Sequence, residues 1–124
     1  MRAIVCEKLG LPSDLVMREL PDSLEPGPGE IKVALSARGA QFVDVLMAAG
    51  EYQTKPPLPF IPGGEAAGEI VAVGSEVDKF KVGDKVMTRH STGAFAEKKG
   101  FIVTICARSA ENFGILHYFG PEFC

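Results

Sequence analysis

Glu30-Ile31-Lys32-Val33-Ala34-Leu35-Ser36-Ala37 is the stretch on which the fold turns. Ile31, Val33, Leu35 and Ala37 recur at every second position between charged or small neighbours, which puts all four on one side of an extended chain. The pattern predicts a strand with one buried face, the opposite face being wet at its start. Immediately downstream the period changes. Phe42, Val43, Leu46 and Met47 recur at helical spacing, and Asp44 stands in the first turn, where a carboxylate suits the positive end of the helix dipole. A short helix from about Phe42 to Ala49 is expected, with Gly50 as its C-terminal cap.

Working outward, Pro21, Pro26, Gly27, Pro28 and Gly29 crowd together upstream and exclude regular structure. Two strands are expected before them, Arg2 to Glu7 and Leu15 to Glu19. On the other side, Pro56 to Gly64 carries too many prolines for a helix or a central strand and reads as an ordered loop or extended edge. Then come a strand from Ala66 to Val73, a turn from Gly74 to Asp78, a tight turn over Lys81 to Lys85 with Gly83 at positive φ, and a strand starting at Val86 and Met87. Many short strands with one short helix make the fold class mainly β, a small barrel-like domain.

The chain's 124 residues give room for one domain. A hydrophobic content of 46% against 23% charged residues is that of a packed globular protein rather than a disordered tail. Net charge is −3, and the 13 Lys and Arg residues are scattered, so a nucleic-acid partner is not expected: phosphate binding needs a concentrated basic surface. No apolar run has the length of a membrane span, and the opening Met1 to Lys8 is too short in apolar residues for a signal peptide. Cys6, Cys106 and Cys124 are odd in number and form no Cys-x-x-Cys pair, which favours free thiols and a cytoplasmic address.

Read in order, Gly29-Glu30-Ile31-Lys32-Val33, Asp44, Gly50-Glu51-Tyr52, Pro59-Phe60-Ile61-Pro62-Gly63-Gly64-Glu65-Ala66-Ala67-Gly68, Val73-Gly74 and Val82-Gly83-Asp84-Lys85-Val86 resemble the medium-chain dehydrogenases/reductases. The likeness is closest to the zeta-crystallin-like quinone oxidoreductases. Gly93-Ala94-Phe95-Ala96-Glu97 looks like the strand that follows in that family. The resemblance implies a GroES-like, partly open β-barrel with one or two short helices, forming a substrate-side catalytic domain over residues 1–97. It also indicates the zinc-free branch. The zinc alcohol dehydrogenases carry a cysteine three residues before the helix aspartate and a histidine directly before the glutamate of the Pro-Gly-x-Glu run, where this chain has Gln41 and Gly64. Neither replaces thiolate and imidazole, so no metal is expected. Glu65 is then expected to hold its loop through hydrogen bonds.

For this branch the resemblance implies NADPH as cofactor and a quinone or conjugated enone as substrate, reduced by hydride or electron transfer. It places Tyr52 and Gln41 at the cofactor and substrate cleft, with Tyr52 offering a hydroxyl donor. An interface aromatic with an exposed hydroxyl is the alternative reading of Tyr52. No catalytic acid or base is assigned.

The Rossmann domain that would hold the dinucleotide is absent from this sequence. Only 27 residues follow Glu97, and a single βαβ unit needs about 30. Gly63-Gly64-Glu65-Ala66-Ala67-Gly68 imitates the spacing of a nucleotide loop, but Glu65 stands where a glycine is needed and its carboxylate repels pyrophosphate. Residues 98–124 read as a divergent tail with one added strand over Phe101 to Cys106, as in a spliced or frameshifted product. His117, Cys106 and Cys124 match no zinc-finger spacing. If Phe113, Ile115, Leu116, Tyr118 and Phe119 find no core, they form an exposed apolar patch liable to weak self-association. The expectation is a chain that binds no cofactor stably and is inactive or weakly active alone. A binding or interfering module and a product without function of its own remain the alternatives.

Overall fold

The computed structural model of the chain describes residues 1–22, 25–102 and 106–108. In chain order the elements are β1 (Arg2–Val5), β2 (Val16–Glu19), β3 (Glu30–Gly39), α1 (Phe42–Ala49), β4 (Glu65–Val73), β5 (Lys85–Arg89), β6 (Lys98–Ile102) and β7 (Cys106–Arg108), with a 3-10 turn at Pro12–Asp14. β1 and β2 form an antiparallel pair, and the other five strands form one antiparallel sheet in the order β6-β3-β4-β5-β7.

β6 and β7 stand at opposite edges of that sheet, yet only three residues separate Ile102 from Cys106. A connection of that length spans roughly 14 Å at most, so the sheet must curl until its edges approach one another. The result is the mainly β, partly open barrel that the sequence predicts.

The curl originates between β3 and β4. Their register slips twice, between Lys32 and Val33 and between Leu35 and Ala37, and each slip bends the strands and increases their twist. At the same contact Gly68 faces Leu35, and a Cβ on Gly68 would overlap the Ala34 carbonyl oxygen. The strands approach this closely only because residue 68 has no side chain. On the concave side Ile31, Val33 and Leu35 pack with Ala66, Ile70, Val86 and Ala94, all buried. This is the period-two face expected from the sequence.

Three expectations are corrected. Lys32 is buried rather than wet, at 7% exposure, with its ammonium 3.8 Å from Glu25. β3 is an inner strand, so a long side chain there lies along the surface and sends its charge to the edge. Residues 93–97 are not a ladder strand; only Ala96 bridges, to Ala3. Their backbone is divided between neighbours: Phe95 accepts from Ile4, Glu97 donates to Arg2, and the Glu97 carbonyl accepts from Leu35. The single added strand becomes two, Lys98–Ile102 beside β3 and Cys106–Arg108 beside β5.

Helix α1 occupies the expected residues. Gly50 takes φ 74°, and the last carbonyls of the helix accept from the Gly50 and Glu51 N–H groups at 3.0 and 2.9 Å, as a left-handed cap requires. Met47 and Ala48 bury against Cys6 and Phe60, forming a second cluster. Cys6 and Phe60 also exchange two backbone hydrogen bonds, so the β1–β2 hairpin is tied to the proline-rich loop.

Ion pairs fasten the hairpin further. Arg18 grips Glu7 through two bonds at 2.7 and 2.9 Å, Glu97 accepts from both the backbone and the guanidinium of Arg2, and Lys98 reaches Asp22 at 2.8 Å. These donors hold the carboxyls of Glu7, Asp22 and Glu97 below their ordinary range. Their contribution is therefore full above the unfolded-state values and lost as pH falls through the lower folded values. Thermal melts should show stability declining from about pH 5 toward about pH 3, with a shallower slope in Glu97→Gln and in high salt. For the sheet, Gly68→Ala should lower urea-unfolding stability by about 3 kcal/mol, because the added methyl meets backbone that cannot swing aside.

Candidate functional site

Gln41 and Tyr52 bracket α1. The Gln41 N–H donates to the carboxylate of Asp44 at 2.8 Å, and the Asp44 N–H returns a bond to the Gln41 carbonyl at 3.1 Å. Asp44 is buried, so this reciprocal pair fixes where Gln41 sits at the start of the helix. Tyr52 follows the Gly50 cap and packs, half-buried, on the Cys6–Met47–Ala48–Phe60 cluster. Its hydroxyl has no hydrogen-bond partner among the described residues. Eight helical residues lie between the two sites, which separates them by roughly 12 Å along the axis. The structure therefore places them at opposite ends of one helix.

A second group gathers at the end of the sheet next to Gln41. Gly39 pairs with Glu65, and Glu65 with Arg89, so the end of β3, the start of β4 and the end of β5 lie side by side. His90 continues from β5, and its N–H donates to the Gly64 carbonyl at 2.7 Å. A Cβ built on Gly64 would lie 2.8 Å from the His90 carbonyl oxygen. This place is shaped for a residue without a side chain, and a ligating imidazole does not fit it unless the backbone shifts. Position 41 carries an amide rather than a thiolate. Among the described residues no three His, Cys, Asp or Glu side chains are grouped to hold a metal.

Glu65 behaves differently from expectation. It is buried, at 5% exposure, and its Oε2 has no hydrogen-bond partner among the described residues. That oxygen does not hold the loop. Nor does the run Gly63 to Gly68 form a nucleotide loop, since Glu65–Val73 is a strand where a phosphate-binding glycine run would open a helix.

Sequence reading missed Arg38, whose guanidinium donates to the carbonyls of Leu35, Ala94 and Ala96 at 3.0, 3.1 and 2.7 Å. It clamps the divided 94–96 segment onto β3. Lys99 was also missed. It lies half-buried with its Nζ 2.7 Å from the Thr92 carbonyl. Neither stands in a motif, because each takes its meaning from backbone that folding brings to it. His117, Cys124, the Cys106 thiol and the apolar run from Phe113 to Phe119 lie outside the described residues. Among the described residues no helix is long and apolar enough to cross a membrane.

Residues 27–120 match the alcohol dehydrogenase GroES-like domain family. The chain belongs to that family. Among its relatives are quinone oxidoreductase-like proteins of the medium-chain dehydrogenase/reductase superfamily. It is 39% identical over 97 residues to quinone oxidoreductase-like protein 2 of Mus musculus, covering 78% of this chain and 27% of the relative. It is 47% identical over 74 residues to a quinone oxidoreductase of Pseudomonas aeruginosa, covering 59% and 22%. The crystal structure of Escherichia coli quinone oxidoreductase complexed with NADPH superposes with a TM-score of 0.86 at 31% identity, over 92% of this chain and 35% of that one. The chain thus spans about a quarter of the length of the curated relatives it matches.

Replacing Glu65 by Gln alters a buried side chain whose Oε2 has no hydrogen-bond partner among the described residues. Glu65→Gln should stabilise the 124-residue chain by about 1–3 kcal/mol. Urea denaturation checks this, and a loss of stability would show that the carboxylate has a partner in solution.

Proposed function

We propose that this GroES-like domain is the substrate-side portion of a zinc-free, NADPH-dependent quinone or enone reductase. The observation that carries the reading is the combination of Gln41 and the side-chain-free Gly64 at the end of the sheet, in a chain whose relatives are quinone oxidoreductases. A quinone or enone delocalises the charge it gains, so its site needs positioning and hydrogen-bond donors more than a Lewis acid.

NADPH would supply the hydride or electrons. Tyr52 and Gln41 are the residues of this chain proposed to meet the cofactor or substrate. The Tyr52 hydroxyl has a donor to give, and its ring is braced by the cluster beneath it. The Gln41 amide lies beside a helix start whose orientation Asp44 sets. Residues 1–97 act in this proposal as the catalytic domain and residues 98–124 as an appended tail. The strand-turn-helix of β3 and α1 joins through Gly39-Ala40-Gln41 rather than through a run of glycines, so in this proposal the chain alone binds NADPH weakly or not at all and turns over little or no quinone. A cytoplasmic address is part of the same proposal and rests on cysteine usage.

Phe42, at 74% exposure, favours a second reading. It projects from α1 with Val45, also exposed, as an apolar face suited to docking against another domain or protein. A binding or interfering module would use that face.

Calorimetric titration of the folded 124-residue chain with NADPH should show no saturation up to about 1 mM, a free energy weaker than roughly −4 kcal/mol. Tight saturable binding, or quinone-dependent NADPH oxidation by this chain, would overturn the proposal.

A further inference from the structure

A cavity of about 620 Å³ lies between the β1–β2 hairpin, the Pro59–Ile61 loop and the segment leading into β6, a volume in the range of small-molecule sites. Val5, Leu20, Phe60, Ile61 and Ala96 give it an apolar wall. Neither Gln41 nor Tyr52 is among its lining residues, so it is separate from the site proposed above.

The wall is preformed. Val5 and Ala96 are buried in one cluster with Ala3, and Leu20 and Ile61 pack against it while remaining half-buried. Phe60 is anchored in the neighbouring cluster of Cys6, Met47 and Ala48. Backbone bonds tie the sides together: Cys6 and Phe60 exchange a pair at 2.8 and 3.1 Å, the Leu20 N–H donates to the Met1 carbonyl at 2.8 Å, and the Gly93 N–H donates to the Ile61 carbonyl at 2.7 Å. Leu20 and Ile61 thus hold apolar surface in place that the described residues leave uncovered.

The charged groups around the cavity are committed to partners. Glu7 holds Arg18 through two bonds at 2.7 and 2.9 Å, and Lys98 reaches Asp22 at 2.8 Å. The amino terminus donates to the Leu20 carbonyl at 2.7 Å and stands 3.9 Å from Glu19. Lys99 lies over Gly93, donates from Nζ to the Thr92 carbonyl at 2.7 Å and has a further interaction besides. A charged ligand would have to break into one of these pairings and shed its own hydration, whereas an uncharged one leaves them intact and gains by covering the apolar wall.

We propose that this cavity is a binding site for an uncharged, apolar small molecule, held by contact with Val5, Leu20, Phe60, Ile61 and Ala96 and without an ion pair to the chain. The Phe60 ring in the wall favours a ligand that is itself ring-bearing.

The test uses two dyes that share one aromatic body and differ by a single charge, N-phenyl-1-naphthylamine and its sulfonate, 1-anilinonaphthalene-8-sulfonate. In fluorescence titrations of the intact chain the neutral dye should saturate a single site, at least about tenfold more tightly than the sulfonate. Leu20→Trp, which fills part of the cavity, should weaken the neutral dye by about fivefold or more, and Met17→Trp, on β2 but outside the cavity, should leave it unchanged. Photolysis of neutral benzophenone on the unaltered chain, followed by peptide mapping, should place crosslinks on Met1, Leu20 or Ile61 rather than on Met17. Equal or tighter binding of the sulfonate, no saturation by the neutral dye, or crosslinks concentrated on Met17, on the exposed Phe42 and Val45 or on residues 109–124 would overturn the proposal. The mapping on the unaltered chain decides the matter even if a variant fails to fold.

Discussion

The contact between β3 and β4 is the constraint on which the rest of the molecule depends. Two register slips and the close passage of Gly68 under Ala34 bend this strand pair, and the bend carries β6 and β7 toward each other. Every other feature is placed relative to that curl. α1 leaves from the end of β3, and the 94–97 segment is held between β1 and β3. The buried Ile31–Val33–Leu35 face then has Ile70 and Val86 to pack against.

The same geometry divides the polar chemistry into two regions. One end of the sheet holds Gln41, Gly64, Glu65 and His90, close in space because Gly39, Glu65 and Arg89 share a register line. Here the structure offers the Gln41 amide, a buried Glu65 oxygen without a partner among the described residues, and a glycine where a Cβ would crowd the His90 carbonyl. The hairpin side holds the apolar cavity with Lys99 in its wall. The two regions draw on different strands, so a change at one need not disturb the other.

Much of the architecture was legible in advance. Period-two spacing marked β3, and the change to helical spacing with Asp44 and Gly50 marked both ends of α1. Clustered prolines marked the loops. The amide at Gln41 and the missing side chain at Gly64 were legible too, because residue identity at a position does not depend on its surroundings. The single strand expected over Phe101 to Cys106 was not correct, since local pattern cannot tell a strand that continues from one that crosses to the other edge of a curled sheet. Lys32 was misread for a related reason. A lone charged residue looks solvated until the strands on either side of it are known.

The sequence by itself determined the strand and helix periods, the glycine and proline breaks, and the absence of thiolate and imidazole at two positions, because each is a property of local covalent chemistry. Only the tertiary structure decided that Glu65 is buried with an oxygen unpartnered among the described residues, that Arg38 clamps the 94–96 carbonyls, and that Lys99 lies over Gly93 in an apolar wall. Those three depend on backbone brought from 24 to 58 positions away or on a shape left by a missing Cβ. Burial and solvation are set by what surrounds a group, and no single segment carries that information.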